Sequence, residues 1–155
     1  MTKPASTAVE RMIKQSIWIN RPRRDVFDAV TSPDQLTHWL VQRIEPSRSN
    51  KHRMRFIWGH NSFEVEFISH TPPGKTVWSW YDKHGVGPRV AFTLVEIKGG
   101  TLISLEHTGF DPDETYLDGY VGHVEGWSMY LCNLKCWVEH GIDLRADQPE
   151  GTIAM

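Results

Sequence analysis

Two histidines, His107 and His123, carry the most chemistry this sequence offers. An imidazole titrates near neutral pH, so it can move a proton from inside a pocket. His107 ends the run Thr101-Leu-Ile-Ser-Leu-Glu-His107, in which Thr101, Ile103, Leu105 and His107 share one face while Ser104 and Glu106 take the other. His123 falls in the apolar stripe of a long C-terminal helical segment, with Tyr116, Tyr120, Trp127, Leu131, Leu134 and Val138. Both imidazoles are therefore expected to face inward and are the candidate catalytic residues, with Tyr116 and Tyr120 as further polar candidates. The competing expectation is a structural histidine, hydrogen-bonded to backbone or to a tyrosine hydroxyl where strand meets helix. No nucleophile stands near either histidine in sequence, and no Asp or Glu has the inward parity to orient them. Cys132 and Cys136 lie one helical turn apart on the side opposite the aromatic stripe. Two ligands do not make a zinc site, so no metal and no cofactor is implied.

The second chemistry is that of flat apolar surfaces. The chain holds seven tryptophans, and Val77-Trp-Ser-Trp-Tyr81 sets three rings in four positions. Polarity alternation turns Trp78 and Trp80 inward and Ser79 outward, and it treats Met54, Phe56 and Trp58 alike. Val90, Phe92 and Leu94 match that face on the neighbouring run. These rings are expected to meet Tyr120 and Trp127 on the helix. Gly119, Gly122 and Gly126 form a strip beside the stripe, each costing about 1 kcal/mol against alanine in a helix interior. Either the helix breaks or kinks there, or the glycines leave room for another backbone or a ligand.

The elements that must position these residues read in a simple order. Ile13–Asn20 is an extended run with Ile17 and Ile19 on one face. Pro22 opens a helix over 23–30, with Val26, Phe27 and Val30 as its apolar positions. Ser32-Pro33-Asp34 starts a second short helix carrying Leu36, Trp39 and Leu40. From residue 44 to 110 the period changes to two, with runs at 54–58, 62–67, 76–81, 90–97 and 101–107. Pro72-Pro73-Gly74 marks a turn, 82–88 reads as a glycine-rich hairpin loop and potential lid, and Lys98-Gly99-Gly100 reads as a tight hairpin. Asp111-Pro112 then caps a helix that Gly141 ends. Succession of short strands with tight turns argues for an antiparallel meander.

Composition excludes several classes. With 17 basic and 19 acidic residues the net charge is −2, which provides no overall attraction to nucleic acid or an anionic membrane. No apolar run reaches the roughly 18 residues a membrane span requires, so no membrane insertion is expected. The N-terminus lacks the apolar middle of a secretory signal, and two cysteines build no disulfide framework, so a cytoplasmic address is expected. At 155 residues one domain is expected. It spans 9–141, between a flexible segment 1–8 and a loose tail 142–155.

Three words in this order carry a resemblance: Val26-Phe-Asp-Ala-Val-Thr-Ser-Pro-Asp-Gln-Leu-Thr-His-Trp39, Gly100-Thr-Leu-Ile-Ser-Leu-Glu-His-Thr-Gly-Phe110, and Gly126-Trp127 followed by Leu131 and Leu134. Over about residues 9 to 141 the chain resembles the Hsp90-ATPase-activator-homologue-like (AHSA1-like) family, within the SRPBCC/START/Bet v 1-like helix-grip superfamily. The resemblance implies an α+β helix-grip fold: about seven antiparallel strands curved around the long C-terminal helix, two short helices after the first strand, and an apolar cavity between sheet and helix. It makes Trp39, Phe56, Trp58, Trp78, Trp80, Phe92, Tyr116, Tyr120, His123 and Trp127 candidate ligand-binding residues; the alternative is a core filled by rings with no void.

The superfamily hosts many activities, so fold leaves function open. The leading expectation is a binding protein for a small, largely apolar ligand, aromatic or lipid-like. The alternative is a cyclase- or dehydratase-like enzyme using the same cavity. An Hsp90-type chaperone partner ranks last, because the resemblance is to a stand-alone module, and a homodimer stays open.

Overall fold

The polar–apolar alternation is realised as one seven-stranded antiparallel sheet. The computed structural model describes residues 12–82, 85–109 and 116–149, with side chains at 82, 85, 86 and 116–120 left out. The expected flexible segment 1–8, the helix cap at Asp111-Pro112 and the side chains of Tyr116 and Tyr120 lie outside the described residues. The strands are β1 (Ile13–Ile19), β2 (Arg43–Pro46), β3 (Met54–Trp58), β4 (Asn61–Thr71), β5 (Lys75–Asp82), β6 (Gly85–Ile97) and β7 (Gly100–Thr108). Their order is β1-β7-β6-β5-β4-β3-β2. Helices α1 (Arg23–Thr31) and α2 (Pro33–Leu36) follow β1, and α3 (Tyr116–His140) closes the fold.

Cross-strand register stacks the inward residues into a core. Ile13 pairs with His107 and His107 with Val90, while Leu105 pairs with Phe92 and Ile103 with Leu94. All of these are buried, as are Trp39, Phe56, Val65 and Trp78. Lys98 and Gly99 both take positive φ between β6 and β7, the two-residue turn whose twist suits a hairpin. Gly100 follows because an added Cβ would lie 2.6 Å from the Ile19 carbonyl oxygen and from the Trp18 ring.

Three places differ from the sequence expectation. First, the sequence does not separate β2 from its neighbours: Arg43-Ile-Glu-Pro46 is a short, polar edge strand closed by proline. Second, the expected loop 82–88 is mostly strand. Asp82 pairs with Gly85 and Tyr81 with Val86, so only 83–84 separate β5 from β6. Third, residues 142–149 are held in place although they carry no periodicity. The buried Asn133 donates from Nδ2 to the Trp39 carbonyl and to Asp143 Oδ1, each at 3.0 Å, and accepts from the Leu144 amide at 2.7 Å. Arg145 donates to the carbonyls of Leu40 (2.9 Å) and Thr37 (3.1 Å) and pairs with Asp143 at 3.0 Å. Burial works against an ionised Asp143, but hydrogen bonds from Arg145 and Asn133 outweigh it and hold its pKa below the ordinary carboxylate value.

The same segment explains why the second helix is shorter than expected. Pro33–Leu36 is four residues long, and Thr37–Leu40 continues as a turn. That turn is fixed from three sides: Trp39 Nε1 donates to the Ala29 carbonyl at 2.8 Å, and Asn133 and Arg145 take its carbonyls. On the opposite flank, Gln15 Nε2 bonds the Val124 carbonyl and Ser128 Oγ, tying α3 to β1. The C-terminal half of α3 is packed through Leu131 and Leu134, and its end is closed by Gly141 at φ 67°, whose amide bonds the Trp137 carbonyl at 2.8 Å.

Candidate functional site

Parity assigns rings to the inner face, and sheet curvature then sorts them by depth. Trp39, Phe56, Trp78 and Phe92 are 0 % exposed. They touch edge to face: Trp78–Phe92 centroids lie 5.2 Å apart and Phe56–Trp78 5.8 Å. These four expected ligand-binding residues are the closed core and do not border open space. Trp58 and Trp80, each two residues further along its strand than Phe56 and Trp78, are only half-buried, and their centroids are 6.0 Å apart.

Beside those two rings lies a pocket of about 330 Å³, at the small end of the range for small-molecule sites. Trp58, Phe63 and Trp80 form its sheet wall, with Gly87 and Pro88 from β6. From α3 come Gly122, His123, Gly126, Trp127 and Tyr130, and Leu40 and His107 also border it. Of the expected site residues, the structure therefore brings together Trp58, Trp80, His107, His123 and Trp127. Leu40, Phe63, Gly122, Gly126 and Tyr130 were not among the expected ligand-binding residues.

The glycine strip resolves the choice posed by the sequence. The helix runs unbroken through Gly122 and Gly126, and a Cβ added at either would meet nothing within 4 Å. Gly126 is nonetheless buried. The space a side chain would take there belongs to the pocket. Gly122, Gly126 and Tyr130 follow at four-residue spacing and so form one row along α3. The sequence signal for this row is the glycine strip itself, which reaches Tyr130 one turn further on.

His107 sits where burial is most complete. It is 1 % exposed, and Trp127 Nε1 donates to its Nδ1 at 2.9 Å. Desolvation, with a smaller contribution from His123, pushes its pKa down to about 3. The ring is neutral at physiological pH, and with Nδ1 accepting, its proton resides on Nε2. His123, on an exposed position of α3, has its ring centroid 5.3 Å from that of His107. Tyr81 borders the pocket but its hydroxyl donates outward to Glu66 at 2.8 Å, under the Arg53 guanidinium.

No Lys, Arg, Asp or Glu borders the pocket among the described residues. No cluster of three or more His, Cys, Asp or Glu that could hold a metal occurs among them either. Cys132 and Cys136 are free thiols, and no described helix is long and apolar enough to cross a membrane.

A seven-stranded antiparallel sheet gripping a C-terminal helix, with two short helices inserted after the first strand, defines the helix-grip class. The family model described as activator of Hsp90 ATPase homolog 1-like protein matches residues 20–139, and the chain belongs to that family. Among solved structures, protein MLL2253 of Mesorhizobium loti superposes with a TM-score of 0.70 at 23% identity, covering 81% of this chain and 94% of that one. The Aha1 dimer of Colwellia psychrerythraea gives 0.70 at 18% identity, covering 84% and 98%. CalU16 of Micromonospora echinospora gives 0.58 at 26% identity, covering 82% and 72%. No curated protein matches the sequence.

Proposed function

We propose that this protein binds a small, uncharged, largely aromatic molecule between the sheet and α3. The observation that carries the reading is the open space beside Gly122 and Gly126, facing half-buried indole rings. A chain selected only for stability would fill that space, since alanine at each position would favour the helix by about 1 kcal/mol. Rings on one wall and bare helix backbone on the other suit a flat apolar guest, and the lack of a charged lining group disfavours an ion.

The enzymatic alternative asks for an imidazole that exchanges protons near neutral pH. His107 does not fit it, because burial keeps that ring neutral far below neutral pH and its Nδ1 is occupied by Trp127. We therefore assign His107 a scaffolding role and the pocket a binding role.

Titration with the neutral fluorophore N-phenyl-1-naphthylamine tests this reading. Its emission is expected to rise saturably, and Trp80→Ala is expected to weaken binding at least tenfold. Trp18→Ala, on the outer face at 36 % exposure, is expected to leave the affinity unchanged. Equal losses in the two variants would remove the pocket from the account.

A further inference from the structure

We infer that the Tyr130 hydroxyl reads a neutral oxygen acceptor on the bound molecule, so that the ligand class is a flat aromatic ketone, quinone or related carbonyl compound. This inference rests on the pocket being a ligand site. The row Gly122–Gly126–Tyr130 makes a trough about 12 Å long at 1.5 Å of rise per residue, closed at one end by the Tyr130 side chain. Tyr130 is 4 % exposed yet borders the pocket. Its hydroxyl lies beside the Trp58 indole, and among the described residues no group accepts its proton. Burial, the main cause, raises its pKa above the ordinary phenol value, which keeps that proton in place as a donor.

Three other polar groups around the pocket are already engaged, and Asn61 stands at its exposed rim. The Trp58 N–H is given to the Leu40 carbonyl at 2.7 Å and the Tyr81 hydroxyl to Glu66, while His107 Nδ1 accepts from the Trp127 indole. Arg145 stands behind Leu40 and donates to the same carbonyl. Its remaining donors go to Thr37 and to both carboxylate oxygens of Asp143, so its charge is balanced. A carboxylate at the Tyr130 end would thus be desolvated without a free cation. A carbonyl oxygen would gain a hydrogen bond at little cost.

The test compares two neutral naphthalene probes, 6-propionyl-2-(dimethylamino)naphthalene, which carries a ketone, and N-phenyl-1-naphthylamine, which does not. Tyr130→Phe is expected to weaken the ketone probe roughly five- to tenfold and leave the other unchanged. Bound to the wild-type protein, the ketone probe should emit at the longer wavelength of a hydrogen-bonded carbonyl; in the variant it should shift to the blue. Equal changes for both probes, or none, would overturn the Tyr130 assignment while leaving the pocket reading intact. Failure of the wild-type protein to bind either probe would overturn both. Should Tyr130→Phe not fold, the wild-type spectrum still decides: emission typical of an aprotic apolar solvent contradicts the inference.

Discussion

Acidification from pH 6.5 to 5 should destabilise the fold by about 2 kcal/mol through His107 alone. The unfolded chain takes up this proton near 6.5, whereas the folded protein holds out to about 3. Below 6.5 the unfolded state binds more protons, so stability that is fully present above that pH is lost progressively toward 3. The whole window corresponds to roughly 4–5 kcal/mol, a large share of the stability of a domain this size. The cause is local. His107 lies between Ile13 and Val90 in the sheet, under Trp127, with His123 as the nearest imidazole ring. His107→Asn should cost about 1–3 kcal/mol at pH 7.5, where the Trp127 bond is disturbed. It should also flatten the decline between pH 6.5 and 5. Urea denaturation of both proteins at three pH values measures this directly. An identical pH slope in the two would contradict the burial argument.

The second large effect joins stability to binding with opposite signs. Alanine at both Gly122 and Gly126 should raise stability by about 2 kcal/mol, since helix propensity improves and, beyond the helix's own backbone and the adjacent residues, nothing stands within 4 Å of either new methyl. For a chain of this length that is a rise of several degrees in melting temperature. Each methyl also occupies the trough that faces Trp58 and Trp80, so affinity for N-phenyl-1-naphthylamine should fall tenfold or more. Leucine at Gly126 should abolish binding. A ligand site that was really elsewhere would show the stabilisation without the loss. A helix that needed these glycines for packing would show neither.

The order of elements and the inward faces were legible because strand alternation and helical periodicity are local signals. They placed Phe56, Trp58, Trp78, Trp80 and Phe92 on one face, and the sheet carries them there. Depth within that face was not legible. Phe56 and Trp78 become core while Trp58 and Trp80, two residues further along the same strands, border the pocket, because where α3 covers the sheet along each strand is set by the whole fold. Residues 142–149 were opaque for a different reason. They are held by side chain to backbone bonds from Asn133 and Arg145, which leave no periodic trace. Gly85–Pro88 reads as a loop by composition, yet Gly87 is wanted in the strand, where an added Cβ would sit 3.2 Å from the Trp80 carbonyl oxygen. Tyr130 is not legible as a site residue because it lies off the aromatic stripe of α3, on the glycine row.

The central claim is that the space between α3 and the half-buried indoles holds a small aromatic guest. It is tested most directly by following the indole N–H signals of the tryptophans in nitrogen–proton correlation spectra during titration with N-phenyl-1-naphthylamine. The account predicts that Trp58, Trp80 and Trp127 shift together with one saturating dissociation constant while Trp18 stays in place. Shifts that never saturate, or that appear at Trp18 as strongly as at Trp80, would mean surface adsorption and would contradict it.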